Sequence, residues 1–239
     1  MLCARHTGVG ADGVEFLERR KDGSFFLRLF NADGSEAELS GNGTRCVAAW
    51  LAESEGLQEV VLGTHGGARK CRVMSKEPEA PWWIESSMGV PRAMPRSIEI
   101  AGVPDVLEGV MVNMGNPHFV MFPEREDFGV HGMSWQQLGA KIAVAPVFKF
   151  GTNVEFVRVL KQDEIAFRIY ERGCGPTTSS GTGTCASSAA AIMMKGVARR
   201  LSAVAEGGTQ QVDWPSATAE MLLTGPAEIV CTGEARVDF

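Results

Sequence analysis

The chain has 239 residues, a formal net charge of −6 and 44% hydrophobic residues. That length builds one large domain or two smaller ones with real cores, and the scattered Lys and Arg give no footprint for nucleic acid or an anionic membrane surface. Six cysteines without CxxC or zinc-type spacing read as reduced thiols of a cytoplasmic protein; no signal-type or membrane-spanning apolar run occurs, so a small-molecule site is expected.

Near the start, "GVGADG" (Gly8 to Gly13) matches the dinucleotide pattern GxGxxG. No strand precedes it and Asp12 would crowd a pyrophosphate, so nucleotide binding is not expected. The β-prone run "SFFLRLF" (Ser24 to Phe30) predicts a strand, and "ELSGNGTRC" (Glu38 to Cys46) a glycine-rich loop. Behind it, "CVAAWLAESEGL" predicts a helix that Gly56 stops. From Met88 to Val106, Pro91, Pro95 and Pro104 interrupt any regular pattern, and a joint between halves is expected there. "NMGNPHF" places His118 and Asn116 in a loop between strands, where functional groups collect.

The order then recurs. "EIAFRIY" (Glu164 to Tyr170) alternates as a strand, "TSSGTGTC" (Thr178 to Cys185) repeats the glycine loop, and "CASSAAAIMMKG" reads as a buried helix stopped by Gly196. An offset of 140 aligns Ser40 with Ser180, Gly41 with Gly181, Gly43 with Gly183 and Thr44 with Thr184. Capping by Gly and Ser explains one such loop, but two copies behind matching strands predict two similar α/β halves. The expected halves are 1–92, joined by a C-terminal strand at 228–239, and 93–227.

Glycines at this spacing let backbone N–H groups crowd around a small anion at a helix start. Neither loop has the Lys-Ser/Thr ending of a P-loop, so a carboxylate is the more natural guest. Arg172 can clamp a carboxylate, while Glu171 with Asn31 and Asn153 can take an ammonium group, which favours an amino-acid-like ligand. The four histidines lie far apart, and no metal site is expected.

Together "NADGSEAELSGNGTRC", "NMGNPHFV", "GTNVEF", "YERGCGPTTSSGTGTC" and "TGPAEIV" resemble the diaminopimelate epimerases in order and spacing, over most of the chain. The early "RHTGVGADG" resembles that family's early loop as well. The resemblance implies an α/β (α+β) fold of two pseudo-symmetric domains, each a mixed, largely antiparallel sheet wrapped around a central helix, with substrate in the cleft between them. It implies inversion of an amino-acid α-carbon without pyridoxal phosphate, metal or other cofactor. It places Asn31, Asn116, Asn153, Glu171 and Arg172 on the substrate, with Gly41, Asn42, Gly181 and Thr182 at the helix starts, and His118 and Glu171 as groups that tune the acid–base pair. The substrate is then a small amino acid, with no nucleic-acid or membrane partner, and a homodimer stays open as the assembly.

Two departures stand against the family pattern. The family's acid–base pair is two cysteines, and those positions here are Ser40 and Ser180. A thiol with pKa near ~8.5 is drawn toward thiolate at a helix N-terminus, whereas a serine hydroxyl needs a separate base. Cys46 and Cys185 lie about 9 Å and 7.5 Å further along their helices and do not replace the pair. Family members also open with a strand and a Gly-rich, Asn-containing segment ahead of where this chain begins, so a truncated start or a reduced homologue is expected. The expected activity is interconversion of LL- and meso-diaminopimelate. The alternatives are a hydroxyproline- or phenazine-type isomerase, racemase or dehydratase, or a silent amino-acid-binding homologue.

Overall fold

The computed structural model describes residues 2–37, 40–77 and 80–235. The chain divides into two compact units, the first of residues 1–87 with 224–239 and the second of residues 88–223. The sequence placed the divisions at 92/93 and 227/228.

The first unit carries β1 (Gly13–Arg19), β2 (Phe25–Asn31), β3 (Glu36–Ala37), α1 (Gly41–Glu55), β4 (Glu59–Gly63), β5 (Arg69–Ser75) and β6 (Trp82–Ser87). Its strands run in the order β1-β2-β4-β5-β6, with β3 hairpinned onto β2. Only β2–β4 is parallel, as expected of a connection that passes through a helix. The helix buries Val47, Ala48, Ala49 and Leu51 against Leu27, Leu62 and Ile84. Gly56 ends it at φ 73°, a left-handed conformation that glycine adopts at no steric cost.

The second unit carries β7 (Arg92–Ile98), β8 (Leu107–Asn113), β9 (Pro117–Met121), α2 (Trp135–Ala143), β10 (Asn153–Lys161), β11 (Glu164–Glu171), β12 (Gly175–Thr177), α3 (Gly181–Lys195), β13 (Arg200–Ala205) and β14 (Gly208–Asp213); β15 (Leu222–Ala227) crosses the division. Its strands run β14-β13-β11-β10-β9-β8-β7, with β12 on β11. Here α3 is the central helix, and its alanines permit close approach to Val110, Val120, Val157 and Phe167.

The repeat extends well beyond the glycine loops. At the 140-residue offset the bounds of α1 and α3 coincide, as do those of β6 and β15. The β2–β3 hairpin pairs Leu29 with Ala37, and β11–β12 pairs Ile169 with Thr177, the same register at the same offset.

Two expectations are corrected, and one helix was not foreseen. The stretch from Met88 to Val106 is not irregular: β7 runs through Pro95, tolerated because β7 is the last strand of its sheet among the described residues and needs no donor on its outer side. The C-terminal strand lies at Leu222–Ala227, where Leu223, Gly225 and Ala227 are buried in alternation; residues 228–235 form no strand, and 236–239 lie outside the described residues. The second unit also holds a helix beyond its central one. α2 starts at a capping box of Ser134 and Gln137 and covers the other sheet face with Trp135, Leu138 and Ile142, against Phe119 and Phe156. Each such fully buried side chain contributes roughly 1.5–3 kcal/mol.

Candidate active site

Both serines of the repeat are helix N-caps. Ser40 has extended backbone (φ −125°, ψ 121°), and its Oγ accepts the Gly43 N–H at 2.9 Å. Ser180 does the same for α3 (φ −144°, ψ 125°), accepting the Gly183 N–H at 3.3 Å. Neither first turn contains an acidic side chain, so the positive end of each helix dipole is left for an anion from outside the helix.

The two starts differ in what faces the hydroxyl. Ser180 is buried, and its Oγ donates to Glu171 Oε2 at 3.4 Å, while Thr177 Oγ1 donates to the other carboxylate oxygen. Glu171 is the last residue of β11, which aims its side chain back along the β12 hairpin. The residue 140 positions earlier is Asn31, whose amide donates to Ser35 Oγ at 3.0 Å within its own turn. Among the described residues no carboxylate accepts from Ser40. In place of one, the buried Arg45 folds back to Asn42 Oδ1 (2.7 Å) and the Gly41 carbonyl (3.2 Å), bringing a cation beside the first turn of α1. Arg45 was not singled out from the sequence; its place one turn inside a helix that starts with Ser-Gly was the available signal.

Around Ser180 the second unit holds a buried polar chain. His118 on β9 is 1% exposed; its Nδ1 meets Glu155 Oε1 at 2.6 Å and its Nε2 meets Asn116 Oδ1 at 2.9 Å. Asn116 Nδ2 in turn donates to Thr182 Oγ1 at 3.3 Å, at the first turn of α3. With the amide so oriented, His118 gives its Nε2–H to Asn116 and shares one proton with Glu155 across the Nδ1 side. Burial pushes the Glu155 carboxyl above its ordinary range, and His118 opposes that rise. Glu155 was also missed in the sequence, where it reads as an ordinary polar residue of an alternating strand.

Two of the remaining expected residues, Asn153 and Arg172, fall near this chain in the second unit. Asn153 Nδ2 donates to the Pro117 carbonyl (3.1 Å) and its Oδ1 accepts the Arg172 N–H (2.9 Å), so it ties β9 to the end of β11. The Arg172 side chain is exposed and its Nη1 donates to the Phe150 carbonyl at 3.1 Å. Gly41 and Gly181 open their helices. The second glycine of each loop has a steric reason. A Cβ on Gly43 would fall 1.4 Å from Glu15 Oε1, and one on Gly183 would fall 2.5 Å from Ile169 Cδ1 and 3.2 Å from Glu155 Oε1. Cys185 is fully buried in the core, and Cys174 is exposed in its loop.

Among the described residues no three His, Cys, Asp or Glu gather as a metal site, and no helix is long and apolar enough to cross a membrane. The arrangement offers two anion-accepting helix starts, each with a hydroxyl, one of them on a carboxylate. Each such start brings a hydroxyl and a helix dipole toward a small anion, as suits a carboxylate-bearing ligand. The family model described as diaminopimelate epimerase matches residues 1–94 and 110–230, and the chain belongs to that family, a family of epimerases. Relatives named diaminopimelate epimerase include one from Nostoc punctiforme, 35% identical over 98% of this chain and 87% of the relative. Another, from Parabacteroides distasonis, is 32% identical over 97% and 85%. Among solved structures, a probable proline racemase from Agrobacterium radiobacter matches with TM-score 0.72 at 16% identity, over 95% of this chain and 76% of the other. A hydroxyproline epimerase from Agrobacterium vitis matches with TM-score 0.66 at 14% identity, over 94% and 75%. At these identities the structural matches speak for the fold.

Proposed function

We propose that this chain interconverts LL- and meso-diaminopimelate by removing and returning the α-proton without a cofactor, a step of lysine and peptidoglycan synthesis. The reading is supported by the kinship to relatives of that name and by one observation in particular: Ser180 Oγ, at the N-cap of α3, donates to the Glu171 carboxylate. A serine at that place is a weak base alone, but a proton relay avoids the free alkoxide. As the α-proton passes to Ser180 Oγ, the hydroxyl proton of Ser180 passes to Glu171 Oε2. The electron pair left on the α-carbon delocalises into the substrate α-carboxylate, whose growing charge the helix dipole of α3 and the Thr182 turn stabilise. For inversion Ser40, the counterpart of Ser180 in the repeat, is assigned as the proton donor to the opposite face. As its hydroxyl proton passes to the α-carbon a solvent proton replaces it, and Glu171 releases its own proton to solvent. The Gly43 N–H held by the Ser40 oxygen favours the negative charge that develops there. Asn116, its oxygen occupied by His118, offers its remaining N–H to a carboxylate, and Arg172 adds a cation at the end of β11.

The difference between the two serines favours one second reading. With a carboxylate on Ser180 and, among the described residues, none on Ser40, proton exchange at a single face is easier than full inversion. Incubation of LL- and meso-diaminopimelate in D2O, followed by proton NMR and chiral chromatography, separates the outcomes. Loss of the α-proton signal with interconversion supports the epimerase. Loss without interconversion supports one-face exchange. No loss, with binding seen by calorimetry, leaves an amino-acid-binding homologue.

A further inference from the structure

The parallel pairing of β9 with β10 sets Asn153 opposite His118 and Glu155 opposite Val120, which leaves His118 and Glu155 as diagonal neighbours on one face of the sheet. That face looks onto α3. A Cβ on Gly183 would fall 3.2 Å from Glu155 Oε1 and 3.1 Å from Ser180 Cβ, so the glycine admits the Glu155 carboxyl beside the first turn of the helix. Both members of the pair are buried; Glu155 Oε1 meets His118 Nδ1 at 2.6 Å, while Oε2 has no hydrogen-bond partner among the described residues. An ionised oxygen left bare in that position is costly. Burial raises the Glu155 carboxyl, with His118 opposing the rise and Glu171 adding to it. The shared proton thus sits on Oε1 or on Nδ1, and in both cases His118 keeps a hydrogen on Nε2. The remaining arrangement, an ionised Glu155 beside a His118 protonated on Nδ1 alone, would bury a net charge.

We propose that Glu155 is a positioning residue: it fixes the tautomer of His118, His118 fixes the amide of Asn116, and that amide thereby meets a substrate carboxylate as a donor. The proposal rests on the amino-acid substrate put forward above. Its geometry is a relay of contacts within the second unit. His118 Nε2 faces Asn116 Oδ1 at 2.9 Å, and Asn116 Nδ2 donates to Thr182 Oγ1 at 3.3 Å. Asn116 is half-buried, so its second Nδ2–H is left for a ligand at the start of α3. A bare Nε2 would set two lone pairs against each other; the amide would turn over, and its oxygen would then face and repel the carboxylate. Glu155 touches no substrate, and its loss is felt two side chains away as weaker binding of a carboxylate.

Long-range proton–nitrogen NMR correlation of the full chain carrying isotope-labelled histidine, with His118 assigned through His118→Gln, reads which ring nitrogen bears hydrogen. The unaltered chain should show Nε2–H on His118. Glu155→Gln should keep it, because its amide can donate to Nδ1 as a protonated carboxyl does, while Glu155→Leu should lose it or show both tautomers. Calorimetry with meso-diaminopimelate should find binding about tenfold weaker in Glu155→Leu, and no further loss when that change is added to Asn116→Leu. Hydrogen on Nδ1 alone in the unaltered chain overturns the proposal. So does a tautomer unchanged in Glu155→Leu, or losses that add in the double variant. The spectrum of the unaltered chain needs no substitution beyond the assignment and keeps the test valid should Glu155→Leu fold poorly. A chain that binds no diaminopimelate sinks the substrate reading instead, and the spectra still decide whether Glu155 sets the tautomer.

Discussion

Ser180 Oγ lies 3.4 Å from Glu171 Oε2, and the position that Glu171 holds in the second repeat is held in the first by Asn31, turned onto its own loop. The pseudo-symmetry of the backbone is therefore not a symmetry of charge. If Glu171 receives the proton relayed through Ser180, Glu171→Gln should lower α-proton exchange by about 100-fold or more, the scale of a lost general base. Asn31→Gln, which removes no ionisable group, should cost less. Equal losses in D2O exchange would rule out the relay.

The serines can be converted to thiols. Ser40→Cys with Ser180→Cys puts a thiol at each helix N-terminus, where thiolate is stabilised, and should raise inversion strongly. Each single change should do less, because inversion needs a group on each face; one cysteine alone should favour exchange over inversion. The rate should rise toward alkaline pH as thiolate forms, measured on both LL and meso forms. A folded double variant that binds substrate without exchange would show that neither serine is aimed at the α-carbon.

For the carboxylate clamp, Arg172→Leu should weaken substrate binding by about 1.5–3 kcal/mol, the value of a charge-assisted bidentate interaction. The low end is expected, since Arg172 Nη1 already donates to the Phe150 carbonyl and must divide its donors. Arg200→Leu, on β13, serves as the control and should change affinity little. Calorimetry that finds the two variants alike would remove Arg172 from the site.

Glu15 gives a prediction for stability against pH. Its carboxyl is raised from an ordinary 4.5 to about 7, and burial is the cause. The folded protein thus holds this proton more tightly than the unfolded chain does, so the stability tied to it is full below about pH 4.5 and is lost as pH rises to about 7. The drop is at most about 3 kcal/mol, less what solvent screens at a half-buried group. Urea unfolding of Glu15→Gln across that window should lack this decline. A variant whose pH dependence parallels that of the unaltered chain would mean that Glu15 ionises freely.

Much of this molecule was legible in its residues. Ser-Gly-x-Gly-Thr announces an N-cap and a first turn that must admit a neighbour closely, and Gly56 and Gly196 mark left-handed helix ends, because these are local backbone requirements. The alternation of "EIAFRIY" and the apolar run behind it likewise expose a strand and a buried helix by period alone. What the sequence could not decide depends on neighbours distant along the chain. Pro95 sits in a strand because that strand is the last of its sheet among the described residues, a property of the sheet order. Glu155 gains a partner because parallel pairing with β9 delivers His118 to it, while among the described residues the same Val-Glu-Phe run at Glu15 meets no such donor. Two glutamates with identical flanking residues therefore acquire different chemistry, since burial and the partner across the strand set the charge of a carboxyl, and only tertiary structure supplies either.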